Sequence, residues 1–483
     1  MKKAVIAGGV LALGAAWTGA AWYSGKMAEA FLRESLEQDN AQAKALGEST
    51  GYSIVTELIS FERGVFTSTA RSRLKLSIPG AETREIDIVE HADHGPFPFR
   101  RLAAGDFRPA MLATRLELQA TSHVNAWFAA TQGVTPLTGT SRVSYGKQLE
   151  GTYELAPMAF VRDGAKLSFS GMNLLWRLDR EAGASEFSGR FDSLTLDHAP
   201  TTTGLTGMAL QGGAFAFRGK PGKNDVPLSD RKLSFQTLTI RHASLPPIIV
   251  QPTSLALDLI EADSGLALKT ALDVGMINGW EKDVATARLA LDLKHLDSDA
   301  LSALDFINFL VIIRTWQGVV QGNIPPFSSD DLEELITSID QILMGSAQVS
   351  LAPLQLGAVA GALNVNLDME LRKQAAASRG SAGLARIRKL NAEIELSQAG
   401  TVDLLVFWAR LMGVPAEQAL ARVRPVVAEA AGKWAAMGLL KIENDTVRST
   451  LSITMDEVDV NGTRMPLDQF LRWFTAGNGA ARD

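Results

Sequence analysis

Hydrophobic positions follow three rhythms along this chain, and each predicts a different element. The first is continuous: 22 residues without a charge, Ala4 to Gly25, follow Lys2 and Lys3 and precede a far more polar remainder. A helix needs roughly 20 apolar residues to cross a hydrocarbon core, so Val5 to Tyr23 is expected to lie in a bilayer. Lys2 and Lys3 would keep the N-terminus cytoplasmic, and Trp17, Trp22 and Tyr23 cluster at the outer end, where amphipathic rings prefer the headgroup level. Gly19, Ala20 and Ala21 offer the small residues of a cleavage site, but the run exceeds the about 7 to 15 residues of a signal-peptide core, so an uncleaved anchor is expected. Small residues four apart, Ala15 with Gly19 and Ala16 with Ala20, would let two such helices pair as a homodimer. Lys26 to Leu46 lacks Gly and Pro and reads as a helical stalk that stops at Gly47.

The second rhythm has period two. Leu74, Leu76 and Ile78; Leu255, Leu257 and Leu259; Leu289, Leu291 and Leu293; Leu363, Val365, Leu367, Met369 and Leu371; and Leu451, Ile453 and Met455 each alternate with polar residues. Such strands have one greasy face and one wet face. Asn364, Asn366, Asp368 and Glu370 could not all be buried, so one side of that sheet stays open to solvent. Further strands are predicted near 115–120, 142–155, 166–177, 189–197, 211–217, 232–242, 266–273 and 392–397.

Helical spacing is the third rhythm. Asp297 or Ser298 can cap a helix to about Val320 that contains the apolar run Phe306 to Ile313, too short to span a membrane. Asp330 with Glu333 resembles a capping box ahead of Leu332, Leu335, Ile336, Ile339, Ile342 and Leu343. A helix pair over 402–437 is expected to break at Gly413 to Pro415 and to carry Pro425 inside its second member. The fold class is therefore α+β: an N-terminal transmembrane helix, then a large body of curved antiparallel β-sheets with amphipathic helices packed on them, mainly in the C-terminal part. The expected regions are an anchor at 1–25, a stalk at 26–50, a β-rich region at 51–297 and an α+β region at 298–483.

Composition adds mostly exclusions. A net charge of -6 across 53 acidic and 47 basic residues gives no basic surface for nucleic acid. Without cysteine there is no disulfide, thiolate metal site or thiol nucleophile. Gly47 to Gly51 matches the letters of a nucleophile elbow around Ser49, but that elbow needs a strand before the serine and a helix after it, and here the order is reversed. His91 and His94 flank Asp93 in a chemically plausible metal set, weakened by the lack of any helical histidine pair. No phosphate loop or dinucleotide fingerprint is present. No catalytic residue, cofactor or metal ligand is assigned.

One resemblance orders these observations. The leader motifs Gly14 to Gly19 and Ala21 to Lys26, the block Phe61 to Ser68 and the block His94 to Pro98 resemble the YdgA family of bacterial envelope proteins of unknown function. Leu293 to Asp297, Asn461-Gly462 and Met465 to Leu467 resemble its later blocks. The resemblance implies an uncleaved inner-membrane anchor with the body in the periplasm, and it supplies no catalytic residues. Arg63-Gly64 is expected at the turn of an early hairpin. A non-enzymatic carrier or scaffold follows, holding lipid or exported-protein clients on an open apolar sheet face. The alternative is an envelope hydrolase acting on lipid or glycan.

Overall fold

The computed structural model describes residues 2–50, 53–77, 82–162, 164–198, 204–223, 226–262, 265–279, 282–297, 300–301, 303, 307, 329–344, 348–372, 387–411 and 413–470. Helix α1 (Lys2–Thr50) is followed by β1 (Ser53–Arg63), β2 (Thr67–Ser77), β3 (Arg84–His94), α2 (Phe99–Ala103), β4 (Leu112–Leu118), α3 (Asn125–Ala130), β5 (Leu137–Val143), β6 (Gln148–Leu155), β7 (Met158–Arg162), β8 (Ala165–Phe169), β9 (Met172–Asp179) and β10 (Ala184–Asp197). Then come β11 (Leu205–Pro221), β12 (Pro227–Phe235), β13 (Thr237–His242), β14 (Ile248–Val250), β15 (Thr253–Ala262), β16 (Gly265–Gly279), β17 (Lys282–Leu296), α4 (Ser329–Met344), β18 (Gln348–Ala358), β19 (Gly361–Leu371) and β20 (Ile387–Ser397). The chain continues through α5 (Gln398–Leu411), α6 (Ala416–Ala436), β21 (Lys441–Glu443), β22 (Thr446–Ile453), β23 (Glu457–Val460) and β24 (Thr463–Pro466). The α+β class and the dominance of antiparallel pairing are as expected from the alternation.

Two compact units are present: Met1–Val161 with Lys166–Thr195 and Ala214–Pro227, and Arg162–Ala165 with Leu196–Gly213 and Leu228–Asp483. Position 297, where the β-rich region was expected to end, lies inside the second unit because β17 pairs with β18 across it.

In the first unit β1, β2, β3, β4, β5, β6, β9 and β10 pair antiparallel in that order. Gly64 turns the β1–β2 hairpin, its amide bonded to the Thr67 carbonyl at 2.8 Å. One face of this sheet is apolar: Ala70, Glu90, Leu116, Gly139, Tyr153 and Leu174 are successive cross-strand partners, with Glu90 the exception among them. Gly139 and Gly151 leave room for the rings of Tyr153 and Trp176, which stack with centroids 5.7 Å apart.

Helix α1 is continuous through the expected anchor and stalk and does not stop at Gly47. Its small residues Ala21, Ser24, Gly25, Ala28 and Ser35 are buried, whereas Ala15, Ala16 and Gly19 are exposed. Trp17 lies 5.6 Å from Phe97 and 5.9 Å from Phe99, ring to ring, and Ser24 shares a 2.8 Å hydrogen bond with Tyr145. The Asn40 amide donates to the Thr56 carbonyl and accepts from the Thr56 amide, both at 2.8 Å. That double bond occupies the free edge of β1, the row of unpaired groups on which another strand would otherwise pair. The outer end of the expected span, from Trp17, is thus in protein contact. Among the described residues no helix is long and apolar enough to cross a membrane; the side chains of residues 1–13, half of the expected span, lie outside the described set.

In the second unit β12, β15, β16, β17, β18, β19, β20, β22, β23 and β24 pair antiparallel in order. Strands β11, β13, β14 and β16 form a connected branch. Several expected strands prove to be two: 142–155 breaks at Lys147, which has φ +55°, 166–177 at Gly171, φ +85°, and 232–242 at Gln236. Met455 lies beyond the end of β22, and Ile78 lies outside the described residues. So do the expected helix 298–320 and its run Phe306 to Ile313, apart from the helical residues Ala300, Leu301, Ala303 and Ile307. The 402–437 pair breaks as expected, at Gly413 with φ +86°, and α6 carries Pro425.

A Cβ at Gly25 would fall 2.3 Å from the His94 ring, whereas one at Gly19 would meet nothing within 4 Å. Overpacking of this kind costs about 1–3 kcal/mol, and an exposed helical Gly→Ala gains about 0.5–1 kcal/mol. Gly25→Ala should therefore lower the unfolding midpoint of the detergent-solubilised chain, and Gly19→Ala should leave it equal or higher. Thermal unfolding followed by circular dichroism distinguishes the two.

Candidate functional site

The polar face of the first sheet carries a cleft of about 940 Å³. Its floor is built by register: Asp93, Ala113, Arg142, Glu150, Arg177 and Glu186 are successive partners across β3, β4, β5, β6, β9 and β10. Side chains two apart on a strand share a face, so Arg115, Thr140, Thr152, Leu175 and Ser188 form the next row of the same floor. The remaining wall is α2 and the segment after it, which bring Arg100, Arg101, Asp106 and Arg108.

Opposite charges alternate along this floor and across to the wall. Arg142 meets Glu150 at 2.8 Å, Arg177 reaches Glu150 at 3.7 Å and Glu186 at 3.9 Å, and Arg100 reaches Asp93 at 3.4 Å. Asp106 is shared between Arg108 and Arg101, and these guanidinium groups hold its carboxyl well below the usual carboxylate range. Arg101 and Arg142 are the enclosed members, with side chains 13% and 19% exposed. Arg101 Nη1 and Arg142 Nε are buried and have no hydrogen-bond partner among the described residues. None of these arginines stands out in the sequence. The one local signal was the aromatic–basic pairing Phe99-Arg100-Arg101 and Phe107-Arg108.

His91 and His94 are separated onto opposite faces of β3, because three residues along a strand reverse the side. His91 is exposed beside Thr69. His94 is 1% exposed against Gly25; its Nδ1 donates to the Val65 carbonyl at 3.2 Å and its Nε2 accepts from Ser68 Oγ at 3.0 Å. Among the described residues no group of three or more potential ligands gathers for a metal. Ser49 sits within the last turn of α1, ahead of β1, and not on a strand-to-helix elbow.

Burial pushes the His94 imidazole below its ordinary range, against the bond to Val65 that favours protonation. The unfolded ring takes up a proton near pH about 6.5. The folded ring does so only lower, so the unfolded state binds more protons between the two values and stability falls as pH drops through that window. His94→Gln is expected to flatten the dependence of unfolding midpoint on pH between about 5 and 7, measured at fixed ionic strength.

The second unit offers the other candidate surface. Leu259, Leu268, Leu293, Val349, Met369, Leu390, Ile453, Val458 and Met465 are successive partners from β15 to β24. Parallel to them run Leu257, Thr270, Leu291, Leu351, Leu367, Ala392 and Leu451, and then Leu255, Leu272, Leu289, Leu354, Val365 and Ile394. At the β20–β24 end a closed core forms around Leu390, Ile453, Val458, Val460 and Phe470. Over β15 to β19 most of these aliphatic positions are only half-buried. The opposite face carries Asn364, Asn366, Asp368 and Glu393, the wet side anticipated from the alternation.

Bacterial proteins of unknown function (DUF945) match residues 1–468. Protein YdgA of Escherichia coli K12 is 23% identical over 98% of this chain and 97% of its own length, and the uncharacterized protein YihF of the same strain is 20% identical over 96% and 97%. An uncharacterized protein of Haemophilus influenzae is 27% identical over 65% of this chain and 87% of its own. No solved structure matches. With the family matched over nearly its whole length and the leader, Phe61 and His94 blocks in place, the chain belongs to the YdgA family, bacterial proteins of unknown function (DUF945).

Proposed function

We propose that this is a non-enzymatic envelope protein, held at the inner membrane by the N-terminal part of α1 with its body in the periplasm, and that it carries acyl chains on the apolar face of the second unit. The supporting observation is the continuity of the aliphatic rows from β15 to β19, most of whose positions are half-buried, with Leu293 and Val349 buried. Burying a methylene contributes about 0.8 kcal/mol, so a chain laid along such rows gains tens of contacts without any directional bond. An acyl client is favoured over an extended peptide. Strand addition needs a free edge, and the β24 edge is four residues long and ends in Pro466, a combination that resists pairing.

Membrane attachment rests on the uncharged run and on Lys2 and Lys3. Because α1 touches the first sheet from Trp17 onward, the outer turns of the Val5 to Tyr23 span lie where the body meets the bilayer surface. Exposed Trp22, Tyr23, Phe99 and Phe107 suit that position.

Native mass spectrometry of the detergent-extracted full chain is expected to show co-purified lipid. Transfer of a fluorescent acyl lipid between two vesicle populations should be accelerated by the wild type and slowed by Leu257→Asn or Leu272→Asn, at half-buried positions. Absence of both lipid and transfer in a folded preparation overturns the reading. A reporter fused at Asp483 that is active only in the cytosol overturns the placement.

A further inference from the structure

The arginine-lined cleft belongs to the first unit, the acyl-carrying surface proposed above to the second, and neither reading rests on the other. Each of three carboxylates there is shared by two guanidinium groups: Asp106 by Arg101 and Arg108, Glu150 by Arg142 and Arg177, and Glu186 by Arg177 and Arg218. Arg115 joins them, paired with Glu117 of its own strand at 2.8 Å. Sharing leaves positive charge in excess of what the lining neutralises. Buried and without a hydrogen-bond partner among the described residues are Arg101 Nη1 on the α2 wall, Arg142 Nε on the β5 floor and the carboxylate oxygen Asp93 Oδ2 on β3.

A buried charged donor without an acceptor is costly, and such exceptions in a folded protein call for a specific explanation. A solvated ion-pair surface does not provide it, since exposed pairs need no enclosed guanidinium. An oxyanion does. Guanidinium groups present planar forks that match phosphate and carboxylate oxygens. Here they approach from two walls, which a tetrahedral, multiply charged group satisfies better than a planar carboxylate. The volume, about 940 Å³, lies at the upper end of ligand pockets, so the anion belongs to something larger. Leu175, 56% exposed on the floor, offers that remainder an apolar contact.

We infer that this cleft binds a phosphate-bearing molecule, its phosphate held between Arg101 on the α2 wall and Arg142 on the sheet floor, with Arg115 and Arg177 completing the charge. Phe99 and Phe107, 52% and 70% exposed, stand next to Arg100 and Arg108 in sequence. This arrangement suits a phospholipid headgroup entering from a bilayer, while the same phosphate chemistry admits a soluble phosphate.

The test uses the full chain in a non-ionic detergent and, separately, liposomes. Inorganic phosphate and glycerol 3-phosphate are titrated by calorimetry at low and at physiological salt. Co-sedimentation compares vesicles of phosphatidylcholine alone with vesicles containing phosphatidylglycerol. Arg142→Gln is the direct variant. Arg177→Gln and Arg115→Gln, with side chains 65% and 57% exposed, remove no core packing and keep the inference testable if Arg142→Gln fails to fold.

Saturable phosphate binding weakened about tenfold or more by Arg177→Gln and Arg115→Gln, about the loss of one charge-assisted hydrogen bond, supports the site. Added preference for phosphatidylglycerol lost in the same variants assigns a lipid, and binding of the free phosphates alone assigns a soluble ligand. Absence of phosphate binding by the folded wild type overturns the inference. So does vesicle binding that the arginine variants leave unchanged, because the N-terminal helix then accounts for it.

Discussion

Antiparallel pairing in sustained register is the constraint on which both units depend. Successive side chains along a strand point to opposite faces, so a shift of one residue would carry every leucine to the wet side and every ion pair to the greasy one. In the second unit the register joins Leu259 to Met465 through a file of aliphatic partners. The same rule in the first unit places Arg142, Glu150, Arg177 and Glu186 side by side. Both surfaces are therefore consequences of pairing, and neither exists in any single strand.

That difference explains what could be read from the chain and what could not. The alternation within Leu363 to Leu371 announces a half-covered strand because the information is local, a matter of period two over a few residues. The charge ladder is not local. Glu150 and Arg177 meet only because β6 passes over β7 and β8 to pair with β9, a choice no single-strand pattern contains. Turns fell between these cases. Gly413 announced the break in the helix pair, whereas Gly171 and Lys147, both at positive φ, cut strands that the alternation had read as continuous, and a lysine in the left-handed region is not advertised by composition.

The seat of α1 was hidden for a related reason. Ala21, Ser24, Ala28 and Ser35 look like ordinary members of an alanine-rich helix, and small residues so spaced suggest another helix as readily as a sheet. The tightest of the contacts that seat α1 is a shape match: the absent side chain of Gly25 admits the ring of His94, whose two nitrogens are already committed to Val65 and Ser68. Both residues fall in blocks that carry the family resemblance, the end of the leader and the His94 to Pro98 segment. Packing of the helix on the body is a sufficient physical reason for those two blocks to go together.

The clasp between Asn40 and Thr56 bears on how this protein can be handled as a fragment. Trimming the N-terminal helix to obtain a body free of detergent would strip the amide pair from the outermost strand and expose a ready template for fibril-like growth. Loss of the helix would also uncover the ring of His94, which packs against Gly25. A soluble preparation faithful to the intact chain has to retain the segment through Asn40, with any cut placed ahead of Trp17.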